Sequence, residues 1–341
     1  MKLSILALLL TLFLTPTNVA QTSAQPTPPG KLVDIGGYRL HLNCSGRGTP
    51  TVVLEYGSSG NSMVWALVQP DVARFTRVCS YDRAYEGWSD AGPIPQTMHQ
   101  QVYELHRLLK AARVKPPYIL VGWSLGGMID RIYSDTYPTE VTGMILVDSA
   151  HEDTVMGDKR FREFATGKAI PPPQTMKSSP PPALTPDEQK SFDHWRAQKV
   201  KDSQSPPTYP WTKLSATDLR LWRFADMNSK PISAARGRYE EWLPEEFEQV
   251  HETRKKRPHP LGSIPLFVLA AGKGDGNAHE PARAVQLKDM ETLSTNSKMF
   301  VDENSNHGIP IENPELVVRA VREVHTTLKA HTALSAVKAM P

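Results

Sequence analysis

The sequence predicts an α/β protein built on a largely parallel sheet, with helices on both faces and a mostly helical insertion in mid-chain. Three observations predict it. Short apolar runs alternate with stretches of helical spacing, the alternation stops at His151 and resumes at Ile264, and proline clusters occupy the gap (Pro171 to Pro173, Pro180 to Pro182). The 341 residues suffice for one large domain with an insertion, and 39% hydrophobic with 22% charged residues fits a soluble globular chain. A net charge of +3 is too small to point to nucleic acid as a partner.

The chain opens with Lys2, an apolar run from Ile5 to Leu14 broken only by Thr11, and small residues at Ala20 and Ala24. That layout reads as a secretory signal peptide over 1–24, and the run falls short of the roughly 20 residues a spanning helix needs. No cysteine stands near the cleavage region, so no lipid-modified terminus and no stable membrane span are expected after cleavage. Export places the protein in the periplasm or outside the cell. Residues 25–30 end a Pro/Thr-rich stretch that reads as a disordered tether. The only cysteines are Cys44 and Cys79, and counting alone leaves a disulfide and two free thiols equally open.

Lys31 to Cys44 reads as a hairpin turning at Gly36-Gly37. Thr51 to Glu55 is a buried strand that stops at a glycine-serine loop, and Phe75 to Tyr81 is another strand. Thr97 to Arg113 carries Val102, Leu105, Leu108, Leu109 and Ala112 at helical spacing. Then come a strand at Tyr118 to Val121, a helix at Leu125 to Tyr137 and a strand at Val141 to Val147. From 151 to 262 helical patches are expected, as at Pro186 to Val200 and Glu240 to Glu252, and no strand. Strands return at Ile264 to Ala270 and Lys298 to Val301, and a last helix starts with Asn313 as N-cap and Pro314 behind it. The core is therefore 31–150 with 263–333, the insertion 151–262, and the tail 334–341.

The chemistry centres on Gly122-Trp123-Ser124-Leu125-Gly126. A serine on a sharp turn between strand and helix has strained backbone angles, and bulky neighbours two residues away would clash, so glycines stand there. This G-x-S-x-G follows an apolar strand and precedes a helix, the context that turns a common pattern into a nucleophile. Its base is expected at His307, on the loop between the last strand and the last helix. The other ten histidines read as surface or packing residues. The acid that orients the imidazole is expected at Asp275, just past the strand Ile264 to Ala270, with Asp148 as the alternative. Two backbone N–H groups should receive the oxyanion: that of Leu125, and that of Ser58 in Gly57-Ser58-Ser59-Gly60. His151-Glu-Asp153 and His251-Glu252 lack ligand spacing for zinc, so neither metal nor cofactor is expected. The run Arg254 to Arg257 reads as a solvated helix end rather than an anion-binding surface.

Taken together, the chain resembles the α/β-hydrolase superfamily, within it a bacterial group of capped serine hydrolases with unassigned substrates. The resemblance rests on Leu54-Glu-Tyr-Gly57, on Tyr81-Asp-Arg-Ala-Tyr-Glu-Gly-Trp-Ser-Asp90, on Gly122 to Gly127, on Leu146-Val-Asp-Ser149, and on Asn306-His307 through Asn313-Pro-Glu-Leu316. It implies an eight-stranded, mostly parallel sheet with a helical cap inserted after the sixth strand. It also implies that the second strand lies beside the fourth, which makes a Cys44–Cys79 disulfide the expected pairing. The sequence departs from many relatives in having Tyr56-Gly57 where His-Gly is common and Trp123 where histidine is common, which narrows the pocket at Trp123. Relatives with an aspartate nucleophile are set aside by Ser124. The resulting expectation is an exported esterase-like enzyme for a small-molecule substrate, working through an acyl-enzyme on Ser124. Amide, peptide or carbon–carbon cleavage, acyl transfer, and silent ligand binding are the alternatives.

Overall fold

Strands buried on both faces must offer apolar side chains in both directions, and the central runs do so. In a computed structural model that describes residues 26–58, 60–156, 158–174, 183–228, 243–273 and 280–334, they form an eight-stranded sheet. Its strands are β1 (Lys31–Asp34), β2 (Arg39–Ser45), β3 (Thr51–Glu55), β4 (Val78–Tyr81), β5 (Tyr118–Trp123), β6 (Val141–Val147), β9 (Leu266–Ala271) and β10 (Ser297–Asp302). The order across the sheet is β1-β2-β4-β3-β5-β6-β9-β10, antiparallel at β1/β2 and β2/β4 and parallel from β4 onward. The expected signal peptide, residues 1–24, lies outside the described residues. Among the described residues no helix is long and apolar enough to cross a membrane.

Alternate residues of each strand feed two separate cores, as the period of two requires. Val53, Leu120, Met144 and Val268 pack with helices α2 (Met98–Ala111) and α3 (Leu125–Thr136). Val52, Leu54, Ile119, Val121 and Phe267 face the other way, toward the one-turn helix α1 (Gln69–Val72) and the long C-terminal helix that follows Pro314. Gly143 lets that last helix close on β6, since a Cβ there would stand 2.7 Å from Val324 Cγ1.

Between β6 and β9 lie a small hairpin, β7 (Val155–Met156) with β8 (Lys159–Arg160), and the helices α4 (Pro186–Gln204), α5 (Ala216–Met227) and α6 (Pro244–Lys256). The hairpin corrects the expectation of no strands there; two residues per strand are too few to show a period. Thr185 caps α4 with a capping box, its side chain accepting from Glu188 N and the Glu188 carboxylate from Thr185 N. Within these helices α4 buries only Phe192 and α5 only Ala225, whereas α6 buries Glu246 and Phe247.

Arg254, expected in a solvated helix end, instead turns inward from α6. Its Nη1 donates to Glu152 Oε1 at 2.8 Å and sits 2.5 Å from Asp289 Oδ2, while Arg131 Nη1 donates to Glu152 Oε2 at 2.7 Å. Burial disfavours a charged Glu152, but Arg131, His151 and Arg254 outweigh it and hold the carboxyl well below its usual range. Glu246, fully buried, accepts from both the backbone N–H and Nδ1 of His99 on α2, at 2.9 and 2.7 Å.

After β9 come α7 (Glu280–Met290), then β10, a one-turn helix α8 (Ile309–Glu312) and α9 (Pro314–Ala330). Asn313 stands at the N-cap of α9 without capping it, because its Nδ2 donates to Asp302 Oδ2 at 2.8 Å. Leu334, assigned to the tail by sequence, is buried and its N–H donates to Asn296 Oδ1 at 2.8 Å.

Two features of the fold yield measurable outcomes. Cys44 and Cys79 face one another across β2 and β4 and are joined as a disulfide with a sequence separation of 35. Replacing both by alanine should cost about 2–4 kcal/mol of unfolding free energy, read by urea titration. The second feature is Glu104, fully buried on α2, where it accepts from Tyr38, Gln96 and Gln100 through one oxygen. Burial dominates those donors and raises its pKa. The folded state then holds a proton that the unfolded chain releases above a pKa of about 4.3, so this group lowers stability as pH rises. Glu104→Gln should therefore raise the urea midpoint at pH 8 and leave it unchanged near pH 4.

Candidate active site

The parallel strands end on one edge of the sheet, and that edge gathers the residues of interest. Ser124 follows β5 and precedes α3 with φ 56° and ψ −124°, a left-handed backbone that a serine adopts only under constraint. Ser124 N–H donates to Val147 O at 3.0 Å, and Ser124 O accepts from Gly127 N and Ala150 N at 3.1 and 2.8 Å. A Cβ at Gly122 would stand 2.5 Å from the Gly127 backbone, and one at Gly126 2.5 Å from Glu55 O. The two glycines are therefore demanded by backbone crossing backbone.

His307 lies between β10 and α8, and its loop is tied at several points. Asn306 N–H donates to Glu312 Oε2 at 3.0 Å, Ser305 N–H donates to Asp302 O at 3.2 Å, and Trp123 Nε1 donates to His307 O at 2.7 Å. The Trp123 and His307 rings lie 5.2 Å apart. The imidazole Nε2 stands 3.0 Å from Ser124 Oγ, and Nδ1 stands 2.6 Å from Asp148 Oδ2. An ionised carboxylate can only accept, so Nδ1 carries the proton and Nε2 is left to accept from the serine hydroxyl.

The favoured acid, Asp275, lies outside the described residues; Asp148, the alternative, makes the contact with the imidazole. Asp148 follows β6 with φ 43°, its side chain fully buried. Its Oδ1 accepts from Ala271 N at 3.1 Å, and its Oδ2 accepts from Arg283 Nη2 as well as from His307. Burial alone would raise its pKa; the His307 hydrogen bond, the Arg283 charge and the Ala271 N–H outweigh burial and lower it. Arg283 on α7 was not foreseen from sequence, since no periodicity marks that helix and the residue is distant in the chain.

Leu125 opens α3, where first-turn amides have no acceptor within the helix. Opposite it, Gly57 lies close against Ser124, because a Cβ there would stand 2.9 Å from Ser124 Cβ; half-buried Ser58 comes next. Behind this loop lies a buried cluster. Arg83 Nη2 donates to Gly57 O at 2.6 Å, and its Nη1 donates to Tyr56 O at 2.9 Å and to Glu55 Oε1 at 2.5 Å. Its guanidinium also covers the Tyr56 ring, 3.8 Å from the centroid. A cleft of about 260 Å³ opens over the site, lined by Ser124, His307, Ser149, Thr154, Val155 and Gln286 among others.

The family model described as the alpha/beta hydrolase fold matches residues 50–314. The uncharacterized protein YqjL of Bacillus subtilis is 26% identical over 86% of this chain and 91% of its own. Several other curated relatives are longer, and the chain spans less than half of their length. Among solved structures, Cfl2 from Burkholderia cenocepacia is similar with a TM-score of 0.61 at 18% identity, over 86% of this chain and 94% of that one. A thermophilic esterase from Thermogutta terrifontis is similar with a TM-score of 0.57 at 17% identity, over 89% of this chain and all (100%) of that one. With its strand order, its insertion point and this match across most of its length, the chain belongs to the α/β-hydrolase fold family.

Proposed function

We propose that this protein is an exported serine hydrolase that cleaves carboxylic esters of small molecules through an acyl-enzyme on Ser124, with His307 as base and Asp148 as the orienting acid. The observation that carries the proposal is the unbroken contact chain from Ser124 Oγ through both imidazole nitrogens to a buried carboxylate. A likeness in fold to an esterase agrees with it. The disulfide and the N-terminal sequence support export, since disulfides persist in oxidising compartments.

In this reading His307 Nε2 takes the hydroxyl proton as Ser124 Oγ attacks the ester carbonyl. The oxyanion is received by the N–H groups of Leu125 and Ser58. As the intermediate collapses, the C–O bond to the alcohol breaks and His307⁺ returns the proton to the departing oxygen. A water then repeats the sequence on the acyl-enzyme, releasing the carboxylic acid and restoring Ser124. Asp148 stabilises the transient imidazolium. Trp123 holds the backbone of His307 and, beside its ring, narrows the entrance. Residues 151–262 act as the cap that shapes the acyl pocket.

Purified protein should be labelled by a fluorophosphonate probe on Ser124. Ser124→Ala should lose both labelling and hydrolysis across an ester chain-length series. Retention of turnover by Ser124→Ala would refute the mechanism, and preference for peptide amides or diketones in the same panel would change the bond assigned. Asp148→Asn should lower kcat by about 10⁴-fold, by analogy with the loss of a triad aspartate. Asp275→Asn, measured beside it, should stay within a few-fold of the parent protein; the reverse ranking would move the acid to Asp275.

A further inference from the structure

We infer that Arg83 is a positioning residue for the oxyanion hole, acting through the Gly57–Ser58 peptide; the inference rests on the serine-hydrolase reading above. The peptide group is planar, and the Gly57–Ser58 bond is not among the cis bonds of the chain. The Gly57 carbonyl and the Ser58 N–H therefore leave opposite edges of one rigid plane. Arg83 grips that carbonyl at 2.6 Å, so it sets the direction in which the proposed donor points. A charge-assisted hydrogen bond on the oxygen also draws electrons from the nitrogen, which makes the N–H a stronger donor.

The grip is itself held rigid. The Arg83 side chain is only 4% exposed and is braced by Glu55, by Tyr56 O and by the Tyr56 ring, while its own backbone N–H donates to Tyr56 OH at 2.8 Å. Two successive carbonyls, those of Tyr56 and Gly57, meet the two Nη atoms of one planar fork, a geometry that a lysine ammonium cannot copy together with the Glu55 contact. Gly57 meanwhile touches Ser124 on its other side, so the arginine reaches the nucleophile's surroundings through a single peptide plane.

The test compares Arg83→Lys with the double variant Glu55→Gln/Arg83→Met, which avoids leaving Glu55 as a lone buried charge. Folding is checked by circular dichroism and Tm. Removing a whole oxyanion donor costs about 10²–10³ in kcat, so misdirecting one should lower kcat about 10- to 100-fold with KM within about twofold. A trifluoromethyl ketone, which forms a tetrahedral oxyanion adduct on the serine, should lose affinity by the same factor as kcat. Folded variants with unchanged kcat and ketone affinity, or with a loss confined to KM, would overturn the inference. Ser124→Ala is run alongside: an inactive Ser124→Ala beside unaffected Arg83 variants sinks this inference alone. Turnover surviving in Ser124→Ala removes the underlying reading and the inference with it.

Discussion

Everything at the edge of the sheet where the parallel strands end depends on one unfavourable backbone conformation, that of Ser124. A non-glycine residue in a sparsely populated region costs of order 1–3 kcal/mol, and it persists only where its surroundings leave no alternative. Here the alternatives are removed by hydrogen bonds to β6 and the loop after it, and by glycines two residues to either side that let α3 pass over β3. The result is a hydroxyl raised above the ends of the strands, with a helix N-terminus directly behind it. Only then do the loops after β3, β6 and β10 have a point on which to converge.

Burial also sets opposite protonation states in the same residue type, and the neighbours decide which. Asp148 and Glu152 are both buried, yet cations and donors hold both ionised. Asp130, on α3, is equally buried but has no hydrogen-bond partner among the described residues; burial, together with the charge of Glu55, pushes its pKa well above the usual range. Glu55 lies between these cases: burial raises its pKa, against the Arg83 charge and the hydrogen bonds from Tyr81 and Arg83, which pull it down. Carboxylates near the site thus differ in charge without any difference in chemistry.

Much of the fold was legible because the parallel strands are short, apolar and separated by amphipathic helices. Thr51–Glu55 and Val141–Val147 have the same bounds in the structure as in the sequence reading. The strand expected from Phe75 starts only at Val78, because the residues before it finish the turn after α1. Ala216–Met227 and Glu280–Met290 went unread: the first buries only Ala225, and the second sends just Leu287 and Met290, three residues apart, into the core, too short a stripe to show a period. In the candidate site, motif and chain order singled out Ser124 and His307, which lie 3.0 Å apart in the structure. The candidate acid was harder: in the sequence Asp148 and Asp275 each come just after a strand, and chain position alone does not rank them. Arg83 stands inside a motif that marked the resemblance but not its role, and Arg254 carries no local signal, because an inward-turned arginine looks in sequence like a surface one.

The inward turn of Arg254 divides the insertion into parts of unequal permanence. Helix α6 is stitched to the core by a buried carboxylate on each side, Glu246 against α2 and Glu152 beneath Arg254, so it belongs energetically to the sheet domain. Helices α4 and α5 bury a single side chain each. Local openings that release them should lie far below global unfolding in free energy, whereas release of α6 strands charges in the interior. Amide exchange would divide the insertion into fast-opening helices, α4 and α5, and a slow-opening one, α6, so that part of it rearranges while the part joined to the sheet domain stays fixed.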